Sequence, residues 1–193
     1  MDFKALIEEF LNGFKGVNPN YVICNKADCE IEKQQLKLNQ KGIYNEDSLK
    51  FELGIFLRKH LGKNYFVEFE RNVQCFFDKS QAVKTVKKEL DIVVFSKKLK
   101  KKYSIELKFP RVKNYGHTVE LRRFEEDEKC VNALINNGFT AAHQLILTDN
   151  SAYYATPSNN KGAPIQVTNQ GMYNKWRGKN WIDLQGDTKY YLH

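Results

Sequence analysis

Apolar residues recur at Phe3, Leu6, Ile7, Phe10 and Leu11, the spacing of an amphipathic helix that Gly13 and Gly16 bring to an end. A turn at Asn18, Pro19 and Asn20 and a short apolar run over 21–24 follow, and Asp28 can cap a second helix reaching Leu38. A stronger helix opens at Asn45 and carries Leu49, Leu53, Phe56, Leu57 and His60 on one stripe as far as Gly62. Residues 65–70 alternate as a strand with Val67 and Phe69 inward, and the polar, basic stretch 78–88 reads as a loop. Beyond Pro110 a long helix, capped by Thr118, turns Leu121, Phe124, Val131, Leu134 and Ile135 inward before Asn137 and Gly138 stop it. A buried strand over 144–148 and a partner over 152–154 come next, then a loop over 157–164. Short strands are expected around 165–167, 181–184 and 190–192. Helices, three strands, a long helix and further strands predict an α/β or α+β fold, a mixed central β-sheet flanked by α-helices.

The chemistry concentrates in the hairpin over 89–110. Tyr103, Ile105, Leu107 and Phe109 share one face of its second strand; Ser104, Glu106 and Lys108 share the other, with Glu106 and Lys108 about 7 Å apart. Alone, that is the pattern of any half-exposed antiparallel strand. The first strand differs. Leu90, Ile92 and Val94 alternate with Asp91, Val93 and Phe95, so both faces are apolar and one aspartate lies inside. A buried carboxylate needs a cation, a partner or a metal. If paired residue numbers sum to 197, Asp91 lies opposite Glu106 with Cβ atoms roughly 5 Å apart, a separation of oxygen ligands that suits Mg²⁺. A sum of 198 would place Asp91 with Leu107 and abolish the site.

Asp91, followed by Glu106-Leu107-Lys108 and preceded by Glu52 on a helix, resembles the PD-(D/E)XK nuclease superfamily. The resemblance covers roughly residues 45–148 in element order, with Leu90 standing where the motif's name has proline. It implies a restriction endonuclease-like core and a Mg²⁺- or Mn²⁺-dependent endonuclease hydrolysing DNA phosphodiester bonds, of restriction, repair or mobile-element type. Asp91, Glu106 and the Leu107 carbonyl would hold the metal, with Lys108 handling the attacking water or developing charge and Glu52 assisting. Glu46 and Glu70 rival Glu52 as the upstream acid. On the helix Glu46 and Glu52 fall roughly 60° to either side of Leu49, and Glu46 is also explained by the helix dipole. The alternatives are a non-catalytic nucleic-acid-binding module that keeps the nuclease fold, and a purely structural domain.

A chain of 193 residues with 41% hydrophobic content supports one domain. It divides into a helical N-terminal cap over 1–44, a catalytic core over 45–155 and a C-terminal β/loop extension over 156–193. The net charge of +8 and pI near 9.2 favour an acidic partner, DNA ahead of RNA. Lys97, Lys98, Arg111 and Lys113 are candidate phosphate contacts, although the run over 97–102 is also what a solvated hairpin tip looks like. Trp176 and Trp181 could stack on bases or belong to the core. A homodimer would bring two active sites to a duplex. No apolar run approaches about 18 residues, so no membrane partner is expected. The acidic, amphipathic start is not a signal peptide, and a cytoplasmic protein is expected. Cys24, Cys29, Cys75 and Cys130 lack paired spacing and read as reduced thiols.

Overall fold

Asp2 caps the first helix, α1 (Phe3–Asn12), by accepting the Ala5 N–H. The second, α2 (Glu46–His60), starts with a full capping box in which Asn45 and Ser48 satisfy one another's backbone N–H. The computed structural model describes residues 1–13, 45–77, 89–111, 117–155, 170–185 and 188–193. The expected turn over 18–20, the apolar run over 21–24, the helix over 28–38, Cys24, Cys29, the loops over 78–88 and 157–164, Lys113 and the strand over 165–167 lie outside them.

The described residues form one six-stranded sheet in the order β1-β2-β3-β4-β6-β5. Its strands are β1 (Phe66–Asn72), β2 (Glu89–Ser96), β3 (Lys101–Lys108), β4 (Ala141–Thr148), β5 (Ile182–Gln185) and β6 (Thr188–Leu192). Only the β3–β4 pair is parallel. A parallel pair needs a crossover, and α3 (His117–Asn136) supplies it. The run α2, β1, β2, β3, α3, β4 is the element order expected over 45–148.

Two layers of helix cover the sheet. Phe3, Ile7, Leu11, Leu49, Leu53 and Leu57 of α1 and α2 pack on Ile92, Val94, Tyr103, Ile105 and Leu107. Cys130, Val131 and Leu134 of α3 pack with Val93 and Ala142, while Leu121 and Phe124 join Ile146, Tyr153, Trp176 and Tyr191. With cover on both sides, β3 is buried from Tyr103 to its end, so it is not the half-exposed strand that its alternation alone describes.

Several local expectations are corrected. Residues 151–153 form a turn of 3-10 helix, with Asn150 accepting the Ala152 N–H, where a partner strand was expected. Lys175, Trp176 and Arg177 belong to a helix, α4 (Gln170–Arg177). Trp176 is fully buried against Phe124 and Tyr191, which assigns it to the core. Ile135 is exposed, and Cys130 takes the inward position instead. His60 is exposed at the end of α2, stacked on Phe56.

Gly54 sets how closely α2 approaches the sheet. A Cβ there would run into the Phe69 ring of β1. Overpacking of this kind costs about 1–3 kcal/mol, against a gain of about 1 kcal/mol in helix propensity. Gly54→Ala is therefore expected to destabilise the fold by about 1 kcal/mol in urea unfolding; a stabilised variant would show that the ring moves aside freely.

Candidate active site

The β2–β3 ladder runs from Ser96↔Lys101 through Phe95↔Lys102, Val94↔Tyr103 and Val93↔Ser104 to Ile92↔Ile105. Every pair sums to 197, the register in which Asp91 and Glu106 are the next residues to meet. There the backbone ladder gives way to a side chain. Asp91 Oδ2 accepts the Leu107 N–H at 2.8 Å. Leu90 also leaves the expected alternation, packing with Val73 and Val93 while Ile92 and Val94 serve the opposite cluster. In an antiparallel pair a residue's N–H and C=O point at the same neighbour, so the Leu107 carbonyl opens toward this gap too. Lys108 Nζ turns back to donate to it at 2.7 Å.

The neighbouring strand adds a third carboxylate to the row. The β1–β2 register passes from Phe69↔Ile92 to Arg71↔Leu90, which sets Glu70 across from Asp91 at a break in the ladder. Glu70 has φ of 49°, the left-handed region that a non-glycine residue adopts only under constraint. Its carboxylate binds the ammonium of Lys50, a buried lysine on α2. Lys50 Nζ is also 3.9 Å from Asp91 Oδ1 and 3.5 Å from Asp47. Burial alone would lower the Lys50 pKa, but the Glu70 bond and the charges of Asp91, Glu70 and Asp47 outweigh it and raise it.

A matching arrangement surrounds Lys108. Its Nζ is 3.5 Å from Glu46 Oε1 and 3.4 Å from Asp127 Oδ2. Glu46 Oε2 accepts the Phe109 N–H at 3.3 Å, fixing the start of α2 to the end of β3. Glu46 and Lys50 are one helical turn apart, which is why one helix end supplies both. Asp91, Lys50 and Lys108 are buried and Glu106 and Asp127 almost completely so. Glu46 and Glu70 keep 38% and 51% of their side-chain surface exposed, so a ligand would enter past them. Five carboxylates (Glu46, Asp47, Glu70, Asp91, Asp127) thus lie within 4 Å of one or other of two ammonium groups (Lys50, Lys108). If all are ionised the cluster carries three more negative charges than positive ones, an excess that favours a further cation.

Asp91, Leu107 and Lys108 meet at the opened end of the hairpin, and Glu106 is the next residue in register. Glu52 does not join them. It is exposed on α2, and Glu46, on the opposite border of the apolar stripe, is the helix acid that reaches Lys108. Lys97 and Lys98 are exposed in the turn at the far end of the hairpin, about 20 Å along β2 from Asp91. That distance separates them from the carboxylates. Arg111 is engaged with Asp149 at 2.7 Å and lies over the Phe109 ring. Lys50 and Asp127 escaped the sequence reading. Asp127 had a usable signal, since it occupies an inward position between Phe124 and Val131 on the α3 stripe.

The oxygens able to hold a hard cation are the Asp91 and Glu106 carboxylates and the Leu107 carbonyl. Among the described residues no three His, Cys, Asp or Glu side chains form a ready metal cage. Mg²⁺ does not demand one, because it keeps several waters and takes one or two carboxylates plus substrate phosphate. The Leu107 carbonyl already accepts a cation, the Lys108 ammonium, so its setting tolerates positive charge. No helix among the described residues is long and apolar enough to cross a membrane. No family model matches the chain, and neither does any curated protein or solved structure.

Proposed function

We propose that the protein is a Mg²⁺- or Mn²⁺-dependent nuclease of the PD-(D/E)XK type, hydrolysing phosphodiester bonds in DNA. The observation that carries this reading is the pairing sum of 197, the register in which Asp91 and Glu106 are next to meet, with Asp91 bonded to the Leu107 N–H and Lys108 to the Leu107 carbonyl. The order of elements from α2 to β4 supports it as well. Asp91, Glu106 and the Leu107 carbonyl would hold the metal, which supplies Lewis acidity toward the scissile phosphate and a more acidic water. Lys108 is the chain's own electrophile. Its ammonium, steadied by Glu46 and Asp127, lies where it can orient the attacking water or neutralise charge on the phosphoryl oxygens. The net charge of +8 favours a polyanionic substrate, and two copies of the chain would serve to cut both strands.

The test is incubation of supercoiled plasmid and single-stranded DNA with the protein in Mg²⁺, Mn²⁺ or EDTA. Cleavage that requires the divalent ion supports the proposal. Salt-sensitive binding with no cleavage under any ion would favour the non-catalytic nucleic-acid-binding module. That alternative draws on the two lysines already neutralising part of the carboxylate cluster.

The helix acids separate in the same assay. Glu46→Gln is expected to slow cleavage by about 10–100-fold, the usual effect of losing a residue that orients a site group. Glu52→Gln is expected to stay within about twofold, because surface changes away from such contacts are nearly neutral. Reversed effects would return the role to Glu52.

A further inference from the structure

Lys50 is a charged side chain with no part in the reaction proposed above, yet it is buried against Asp91. It arrives from α2, one turn after Glu46, and its ammonium bridges Glu70 of β1 and Asp91 of β2. Glu70 holds a left-handed backbone at the one position of β1 that faces Asp91, so the strand departs from regular pairing where the bridge forms. Asp91 has two oxygens with different duties: Oδ2 accepts the Leu107 N–H, and Oδ1 faces Lys50. A cation bound at Asp91 must share that carboxylate with the lysine.

We propose that Lys50 is a resident counter-charge which competes with the divalent ion for Asp91, with Glu70 as the carboxylate that draws the lysine aside. The pair Lys50–Glu70 would then set how tightly the centre holds its metal. This inference rests on the metal-dependent reading above, and it concerns affinity, so it can be measured without catalysis. Two substitutions at one ion pair should act in opposite directions. Removing the ammonium leaves Asp91 with less competing positive charge. Neutralising Glu70 leaves Lys50 with Asp91 as its nearest buried carboxylate partner and strengthens the competition. A merely structural role would weaken binding in both variants.

The experiment is Mn²⁺ titration of the full chain, followed by electron paramagnetic resonance of the free ion and by calorimetry, with no nucleic acid present. Asp91→Asn identifies the binding that belongs to this carboxylate. Lys50→Met is expected to tighten Asp91-dependent Mn²⁺ binding by about tenfold, the scale of removing one unit charge roughly 5 Å from a divalent ion. Glu70→Gln is expected to weaken it by about threefold or more. Should Lys50→Met fail to fold, Lys50→Gln takes its place with the same expected tightening, because weaker binding in Glu70→Gln alone is also what a structural role would give. Asp91-dependent binding that is unchanged or weaker in Lys50→Met, or tighter in Glu70→Gln, overturns the competition while leaving the metal reading intact. Wild-type protein with no Asp91-dependent Mn²⁺ binding overturns both.

Discussion

Asp91→Asn is expected to reduce divalent-ion-dependent DNA cleavage by at least about a thousandfold, since metal-assisted stabilisation of the reacting phosphate is worth several kcal/mol and each factor of ten is about 1.4 kcal/mol. The substitution is close to isosteric. An amide oxygen can still accept the Leu107 N–H that Asp91 Oδ2 takes at 2.8 Å, so the opened end of the hairpin keeps its shape. The amide nitrogen would then turn toward Lys50, which retains Glu70 and Asp47 as partners. The measurement is initial nicking rate at saturating Mg²⁺, with urea unfolding alongside it. A rate within tenfold of wild type in folded protein would remove Asp91 from the chemistry and with it the proposed mechanism.

The hairpin chemistry was legible because burial has a sequence signature. An aspartate flanked on both sides by apolar residues in 89–95 predicts a covered strand with a carboxylate that needs a partner, and Asp91 proves to be buried. The register was not legible. The lysine run over 97–102 can serve as turn or strand, and the structure spends Lys97 to Lys100 on the turn while Lys101 and Lys102 begin β3. The helix acid that reaches Lys108 was hidden for a physical reason. Glu46 in a first turn is explained by the helix dipole, and that sufficient local cause hid its tertiary bonds to Lys108 and Phe109. Asp127 was concealed by company, because among Glu125, Glu126 and Glu128 it looks like one more residue of a solvated acidic face. Lys50 had no signal of its own, since the carboxylates that hold it come from two different strands. Helix α4 falls in what was expected as a β/loop extension, because a segment of 8 residues holding a glycine scarcely shows helical periodicity.

Asp127 also makes possible a separation of stability from chemistry at Lys108. It is almost wholly buried and lies 3.4 Å from the Lys108 ammonium. Removing one member of a buried pair leaves the other charge stranded, which costs about 3–5 kcal/mol, whereas replacing both with apolar residues is often nearly neutral. Lys108→Met is therefore expected to destabilise the fold by about 3 kcal/mol in urea unfolding. Asp127→Leu alone should cost less, about 1–2 kcal/mol, because Lys108 keeps Glu46 and the Leu107 carbonyl. The double variant Lys108→Met with Asp127→Leu should lie within about 1 kcal/mol of wild type, a coupling of about 3 kcal/mol between neighbours. Additive costs in the double variant would mean that the two side chains do not share their charge. If the coupling holds, the double variant is a stable protein lacking the Lys108 ammonium. Its cleavage rate should then remain as low as that of Lys108→Met, which would assign the loss to the missing ammonium and not to unfolding. A double variant that recovers both stability and cleavage would leave Lys108 a structural ion-pair partner and take it out of the reaction.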